Sequence, residues 1–158
     1  MKKYELTDET IEVYGTALHR IKALKDFGNV KKGEPGGYVE SEHNLSQEGD
    51  CWVYGNAEVY DNARVFGNAE VCGNAEVCGN AEVCGNADYI TIKGLGSKYR
   101  NTIIFRTKEN IAVKCGCFYG TLAEFVDKVK ETHGNSKFAK EYLALIDLVK
   151  IHFELEDK

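Results

Sequence analysis

Val53-Tyr-Gly-Asn-Ala-Glu58, Val59-Tyr-Asp-Asn-Ala-Arg64, Val65-Phe-Gly-Asn-Ala-Glu70, Val71-Cys-Gly-Asn-Ala-Glu76, Val77-Cys-Gly-Asn-Ala-Glu82 and Val83-Cys-Gly-Asn-Ala-Asp88 follow one another without a gap. A valine every six residues with an alanine four places after it is self-similarity at a fixed period, the signature of a repeat architecture. Valine is β-branched and suits a short strand, while Gly-Asn or Asp-Asn accepts the positive φ of a tight corner. Each hexad therefore reads as a strand, Glu-Val-Cys, and a corner, Gly-Asn-Ala. Side chains alternate across a strand, so an inward Val71 sends Glu70 and Cys72 outward. Ala75 is then small enough to fill the inside of the next corner.

Two ways of coiling fit this pattern. If three hexads close a triangular turn, each turn advances the chain by one strand spacing, roughly 4.8 Å. Tyr54 then stacks over Cys72, Tyr60 over Cys78 and Phe66 over Cys84. A two-sided coil would instead stack Cys72 over Cys84. The triangle sets Arg64 opposite Glu82, which is favourable. It also sets Glu58 opposite Glu76 and Glu70 opposite Asp88, which repel by roughly a few tenths of a kcal/mol each.

Length and composition bound the rest. A chain of 158 residues is one domain or a solenoid with a small appendage. The net charge of −5 argues against general nucleic-acid binding. There is no basic-apolar leader and no apolar run of membrane-spanning length, so the expectation is a soluble, cytoplasmic protein with no membrane partner. In that setting the six cysteines read as free thiols. Metal binding is not expected. Cys72, Cys78 and Cys84 fall on different sides of a triangle, and Cys115 with Cys117 is a single pair.

Upstream of the repeat, Lys3-Tyr-Glu-Leu6 and Ile11-Glu-Val-Tyr14 alternate like a hairpin around the polar Thr7-Asp-Glu-Thr10. Leu18 to Leu24 reads as a further strand, and Gly33-Glu-Pro-Gly-Gly37 as a turn leading into the coil; no Gly-Lys-Ser/Thr follows to make it a phosphate loop. Between Tyr38 and Trp52 the hexad phase extends backwards loosely, with Leu45 and Cys51 on the alanine phase, as degenerate first rungs. Trp52 would point outward beside Tyr54. Downstream, Tyr89–Lys93, Thr102–Thr107 and Ile111–Lys114 read as strands. From Lys93 to Lys114 six basic residues face the single acid Glu109. Thr121-Leu-Ala-Glu124 is a capping box opening a helix that stops at His133-Gly134. A second helix runs from Ser136 or Lys137 to about Phe153, with an apolar stripe widened by Leu143, Ile146 and Ile151.

The aliphatic-x-x-x-small hexads resemble the left-handed parallel β-helix of hexapeptide-repeat proteins. Beyond the repeat, Ala23-Leu-Lys-Asp-Phe-Gly28, Gly49-Asp-Cys-Trp-Val53 and Gly116-Cys-Phe-Tyr-Gly-Thr121 resemble the small hexapeptide-repeat proteins of phages and prophages. The resemblance implies a mainly β fold with α: a short left-handed parallel β-helix over 51–88. An N-terminal β cap with degenerate rungs over 1–50 would close one end, and a β-meander with two helices over 89–158 the other. Many left-handed β-helices are trimeric acyltransferases with acyl-CoA between coils. That chemistry needs a general base, usually histidine, and a protruding loop. The repeat contains neither, and His19, His43, His133 and His152 all lie outside it. No catalytic residue and no cofactor are expected.

Two further readings remain. In the first the chain is a non-catalytic homo-oligomer, a dimer or trimer, that binds and sequesters a small anionic, nucleotide-derived signalling molecule in an infected host's cytoplasm. Lys98, Arg100 and Arg106 would contact its phosphate, and Trp52, Tyr54 and Tyr60 would offer stacking surfaces. In the second the repeat is a spacer and the helices bind another protein.

Overall fold

The computed structural model describes residues 1–155, which form two compact units: 1–89 together with 105–109, and 90–104 together with the chain from 110 onward. The first unit opens with β1 (Tyr4–Val13) and β2 (Thr16–Ala23), antiparallel to each other. The turn between them uses Tyr14 and Gly15, both at positive φ. The hairpin expected inside residues 3–14 is therefore corrected to one long strand. Its polar middle stays attached to β2 through side chains, Thr7 Oγ1 donating to Arg20 O at 2.8 Å, and it absorbs a register irregularity between Leu6 and Thr10.

The Gly33–Gly37 turn is also corrected. Pro35–Val39 is a strand, β3, which runs antiparallel to β2 and parallel to the repeat. Gly36 and Gly37 are needed for space. A Cβ on Gly37 would sit 2.5 Å from Ala57 O and 2.6 Å from Val53 Cγ1, and one on Gly36 2.6 Å from Val53 O.

Each hexad supplies a two-residue strand: β4 (Trp52–Val53), β5 (Glu58–Val59), β6 (Arg64–Val65), β7 (Glu70–Val71), β8 (Glu76–Val77) and β9 (Glu82–Val83). They pair in parallel at a spacing of three hexads: Val53 with Val71, Val59 with Val77, Val65 with Val83. All six valines, and the alanines at 57, 63, 69, 75 and 81, are buried. Glu58 stands opposite Glu76 and Arg64 opposite Glu82.

The expected fold class, a left-handed parallel β-helix with a cap at each end, is overturned by the sheet topology. β4 and β7 form one two-stranded sheet and β6 and β9 another, whereas β5 and β8 continue β1–β2–β3 as a five-stranded mixed sheet. Six hexads shared among three sides leave two strands per side, too few to build a solenoid. The N-terminal strands do not close an end; they extend one side. The chain is thus a set of mixed sheets of short strands, a separate sheet and two helices.

Three local expectations change with it. Leu45 takes a valine position, bridging Val65, instead of the alanine phase. Trp52 is only 1 % exposed, because Tyr4 and Phe27 pack edge-on against it at 6.1 and 5.2 Å. Asp88 does not face Glu70. The chain tightens into a 3₁₀ turn at Asn86–Asp88, and the Asp88 carboxylate accepts from Cys84 N, Gly85 N and Arg106 Nε.

The second unit is built on β10 (Tyr89–Leu95), β11 (Arg100–Arg106), β12 (Ile111–Cys115) and β13 (Phe118–Thr121), a four-stranded sheet in chain order, with α1 (Leu122–His133) and α2 (Lys137–His152). Thr121 Oγ1 accepts from Glu124 N at 3.2 Å and Glu124 Oε1 from Thr121 N at 3.3 Å, so the capping box is in place. Gly134, at φ +57, stops α1. Tyr142, Leu145, Ile146, Val149 and Phe153 pack with Phe125, Val129, Ile104, Val113 and Cys115 in one core. Leu148 and Ile151 stay exposed, Ile151 at 76 %.

Candidate functional site

A cavity lined by aromatic and basic side chains lies wholly within the second unit. Its volume is about 240 Å³. Four pieces of chain build it. The loop between β10 and β11 brings Ser97 and Lys98, and the first residue of β11 brings Arg100. The turn between β12 and β13 brings Cys117 and Phe118. α1 contributes Phe125, Lys128, Val129, Thr132 and His133, and α2 contributes Tyr142.

Glycines let these pieces close on one another. Gly96, at φ +77, lies so near Tyr142 that a Cβ would collide with the phenol oxygen. Gly116, at φ +60, has the Arg100 side chain laid across it, and a Cβ would collide with Arg100 Nη1. The aromatic floor is continuous: Phe118 to Phe125 at 5.3 Å, Phe125 to Tyr142 at 5.4 Å, and the His133 ring stacked on Tyr142 at 5.8 Å. Tyr142 Oη donates to Leu95 O at 3.2 Å and lies 3.7 Å from Cys115 Sγ. Burial first, and then that thiol, hold the Tyr142 phenol well above the usual range, so it stays protonated.

The charge of the lining is one-sided. Lys98, Arg100 and Lys128 carry positive charge, and no Asp or Glu lines the cavity. In a chain of net charge −5 this is a local reversal of sign. Cations held beside an aromatic floor suit an anion attached to a flat or apolar body, because the charge-assisted hydrogen bonds and the ring contacts act on different ends of it.

The residues expected from the sequence separate here. Lys98 and Arg100 meet in the cavity. Arg106, at the far end of β11, belongs to the first unit and pairs with Asp88 at 3.0 Å. Trp52 and Tyr60 are buried in the first unit and Tyr54 is half-buried there. None of these four lines the cavity. Lys128, His133 and Phe118 were not anticipated. Lys128 is exposed at helical spacing from Phe125, Val129 and Thr132, and from the sequence it looks like any solvated helix lysine.

Part of the chain is similar to an acetyltransferase. Over 62 residues it is 39 % identical to the uncharacterized acetyltransferase YdcK of Escherichia coli strain K12. The match covers 34 % of this chain and 19 % of YdcK, so the chain spans about a fifth of the length of the curated relative it matches. No protein-family model matches the chain.

Among the described residues there is no group of three or more His, Cys, Asp or Glu side chains placed to hold a metal ion. None of their helices is long and apolar enough to cross a membrane. All six cysteines are free thiols; Cys72 and Cys84 are exposed and Cys78 is buried beside Tyr60.

Proposed function

We propose that the chain is a non-catalytic binding protein whose C-terminal cavity takes a small anionic molecule, nucleotide-derived, with its phosphate on Arg100, Lys98 and Lys128 and its base against the aromatic floor. The observation that carries this reading is the one-signed lining: three cations and no carboxylate around one cavity. Arginine offers two parallel donors to a phosphate, and the two lysines add point charges at low geometric cost. Sequestration of an immune signal during phage infection is the role offered by analogy with compact, acidic, oligomeric phage proteins that hold nucleotide signals, and it needs only binding.

A second reading has one observation in its favour. The similarity to YdcK brings acetyl transfer within reach, and His133 stands in the lining where such chemistry would want a base. An acyl-CoA donor is itself a nucleotide-bearing anion, so the same cations would serve it.

One experiment separates the two. Purified protein is incubated with a panel of nucleotides, cyclic nucleotides and acetyl-CoA, then filtered, heated and the released material chromatographed. The binder reading expects a nucleotide to be depleted and recovered intact. It also expects Arg100→Ala with Lys128→Ala to weaken retention at least tenfold, since a hydrogen bond to a charged group contributes about 1.5–3 kcal/mol. With an amine acceptor added and the heating step left out, free CoA formed together with the acetylated amine, and only when the protein is present, would favour the enzyme. No depletion from the whole panel would overturn both readings.

A further inference from the structure

In the first unit a lysine and a cysteine are closed together inside the protein. Lys3 is 1 % exposed and Cys51 is 0 % exposed. Lys3 Nζ lies 3.3 Å from Cys51 Sγ. It also donates to Cys51 O at 2.8 Å, Gly49 O at 3.3 Å and Glu48 O at 3.4 Å, and stands 4.9 Å from the centre of the Phe27 ring. Carbonyl oxygens on one side, a ring on another and the thiol on a third fix the amine. Neither the repeat nor the cavity in the second unit uses this pair.

We propose that Lys3 and Cys51 are an oxidative modification site, at which dioxygen joins the two side chains through a single bridging oxygen, Nζ–O–Sγ. The step balances with the groups present. A neutral amine, a thiol and one dioxygen give the N–O–S bridge and one water. The N–H and S–H bonds that are lost supply both protons of that water, the other dioxygen atom becomes the bridge, and nitrogen and sulfur together give up the four electrons that reduce dioxygen.

The surroundings favour this product over the usual ones. Oxidised thiols commonly condense with a second thiol or climb to sulfinic acid. Cys51 is sealed from bulky thiols, and its one reactive neighbour is the amine. Desolvation is the largest influence on Lys3 and lowers its pKa, opposed by Cys51 and by Asp50. The carbonyl acceptors and the ring suit the ammonium, so the step draws on the fraction of Lys3 that burial leaves neutral, and it quickens as pH rises. Phe27, Glu48 and Gly49, which Lys3 Nζ meets, also line a surface groove, so one layer of residues separates the amine from solvent.

The bridge would tie the residue before β1 to the residue before β4. A cross-link between distant positions restricts the unfolded chain and thereby raises stability, more for longer loops. The oxidised protein is therefore expected to melt at a higher temperature than the reduced one.

The test uses the full chain, purified without oxygen in the presence of reductant, and then held in air-saturated buffer. The expected result is an intact mass that gains one oxygen and loses two hydrogens. Digestion should then yield a peptide joining Lys3 to Cys51, and dithiothreitol should restore the starting mass. Reduced Cys51 after prolonged exposure to air would overturn the proposal. So would Cys51 with two or three added oxygens beside a free Lys3 peptide, or Cys51 in a disulfide, which loses hydrogens without gaining oxygen. Lys3→Arg should abolish the joined peptide; if that variant does not fold, the peptide map of the unaltered protein still decides.

Discussion

Gly37 shows how much a single side chain matters when two backbones touch. Replacing it with alanine drives a methyl group into Ala57 O and Val53 Cγ1, and relief requires β3 to move off β5. We expect Gly37→Ala to destabilise the first unit by about 2–3 kcal/mol, read as a lower urea midpoint. Gly73→Ala, at φ +68 with nothing near its Cβ, should cost only about 1–2 kcal/mol from backbone strain. From the sequence both glycines look like corner residues; the true reason at Gly37 is close approach, which only the neighbour across the sheet reveals. Asp88 gives a pH test. Burial pushes its carboxyl up, but the bonds from Cys84 N, Arg106 and Gly85 N outweigh it and hold the group below its ordinary 3.8. A carboxylate depressed in the folded state stabilises the fold above the unfolded value, and the stabilisation is lost as pH falls through the folded one. The melting-temperature gap between the unaltered chain and Asp88→Asn should therefore be constant near neutrality and shrink below about pH 4.

At the level of elements, legibility followed locality. The limits of α1 were readable because Thr121, Glu124 and Gly134 lie within its own stretch of chain, and the bonds they make are with their sequence neighbours. Thr121→Ala should cost about 1 kcal/mol, seen as a lower melting temperature of the second unit, with Thr121→Ser largely restoring it. The core strands of the second unit were readable from runs of β-branched residues, whereas β13 was not, since Phe118-Tyr-Gly-Thr121 has neither clean alternation nor length. In the first unit the period allowed Val53 to pair two hexads on or three hexads on, and the structure takes the second, pairing Val53 with Val71. How those pairs join into sheets was not legible. That depended on β3, whose two glycines let it lie against β5, and on Arg20, which donates to Gly36 O, Gly55 O and Asn56 Oδ1 and sits over the Tyr38 ring at 4.3 Å. No pattern within a single hexad encodes that contact.

For the whole molecule, the division of charge is the property that bears on function. An acidic chain gathers Lys98, Arg100 and Lys128 around one aromatic-floored cavity. The sequence showed the basic stretch but not its partition, because Arg100 and Arg106 differ only in which end of β11 they occupy, and Asp88 claims the second. Binding in such a cavity should weaken as salt is raised, since part of its strength is charge attraction that ions screen. Arg106→Ala should leave binding unchanged while Arg100→Ala weakens it. An NMR titration of isotopically labelled protein with a mixture of nucleoside phosphates tests the cavity as a binding site. Saturable shifts are expected in the amides of residues 97–100, 116–118 and 128–133. Shifts confined to the region of Tyr54, Tyr60 and Arg106, or none at millimolar ligand, would contradict that reading.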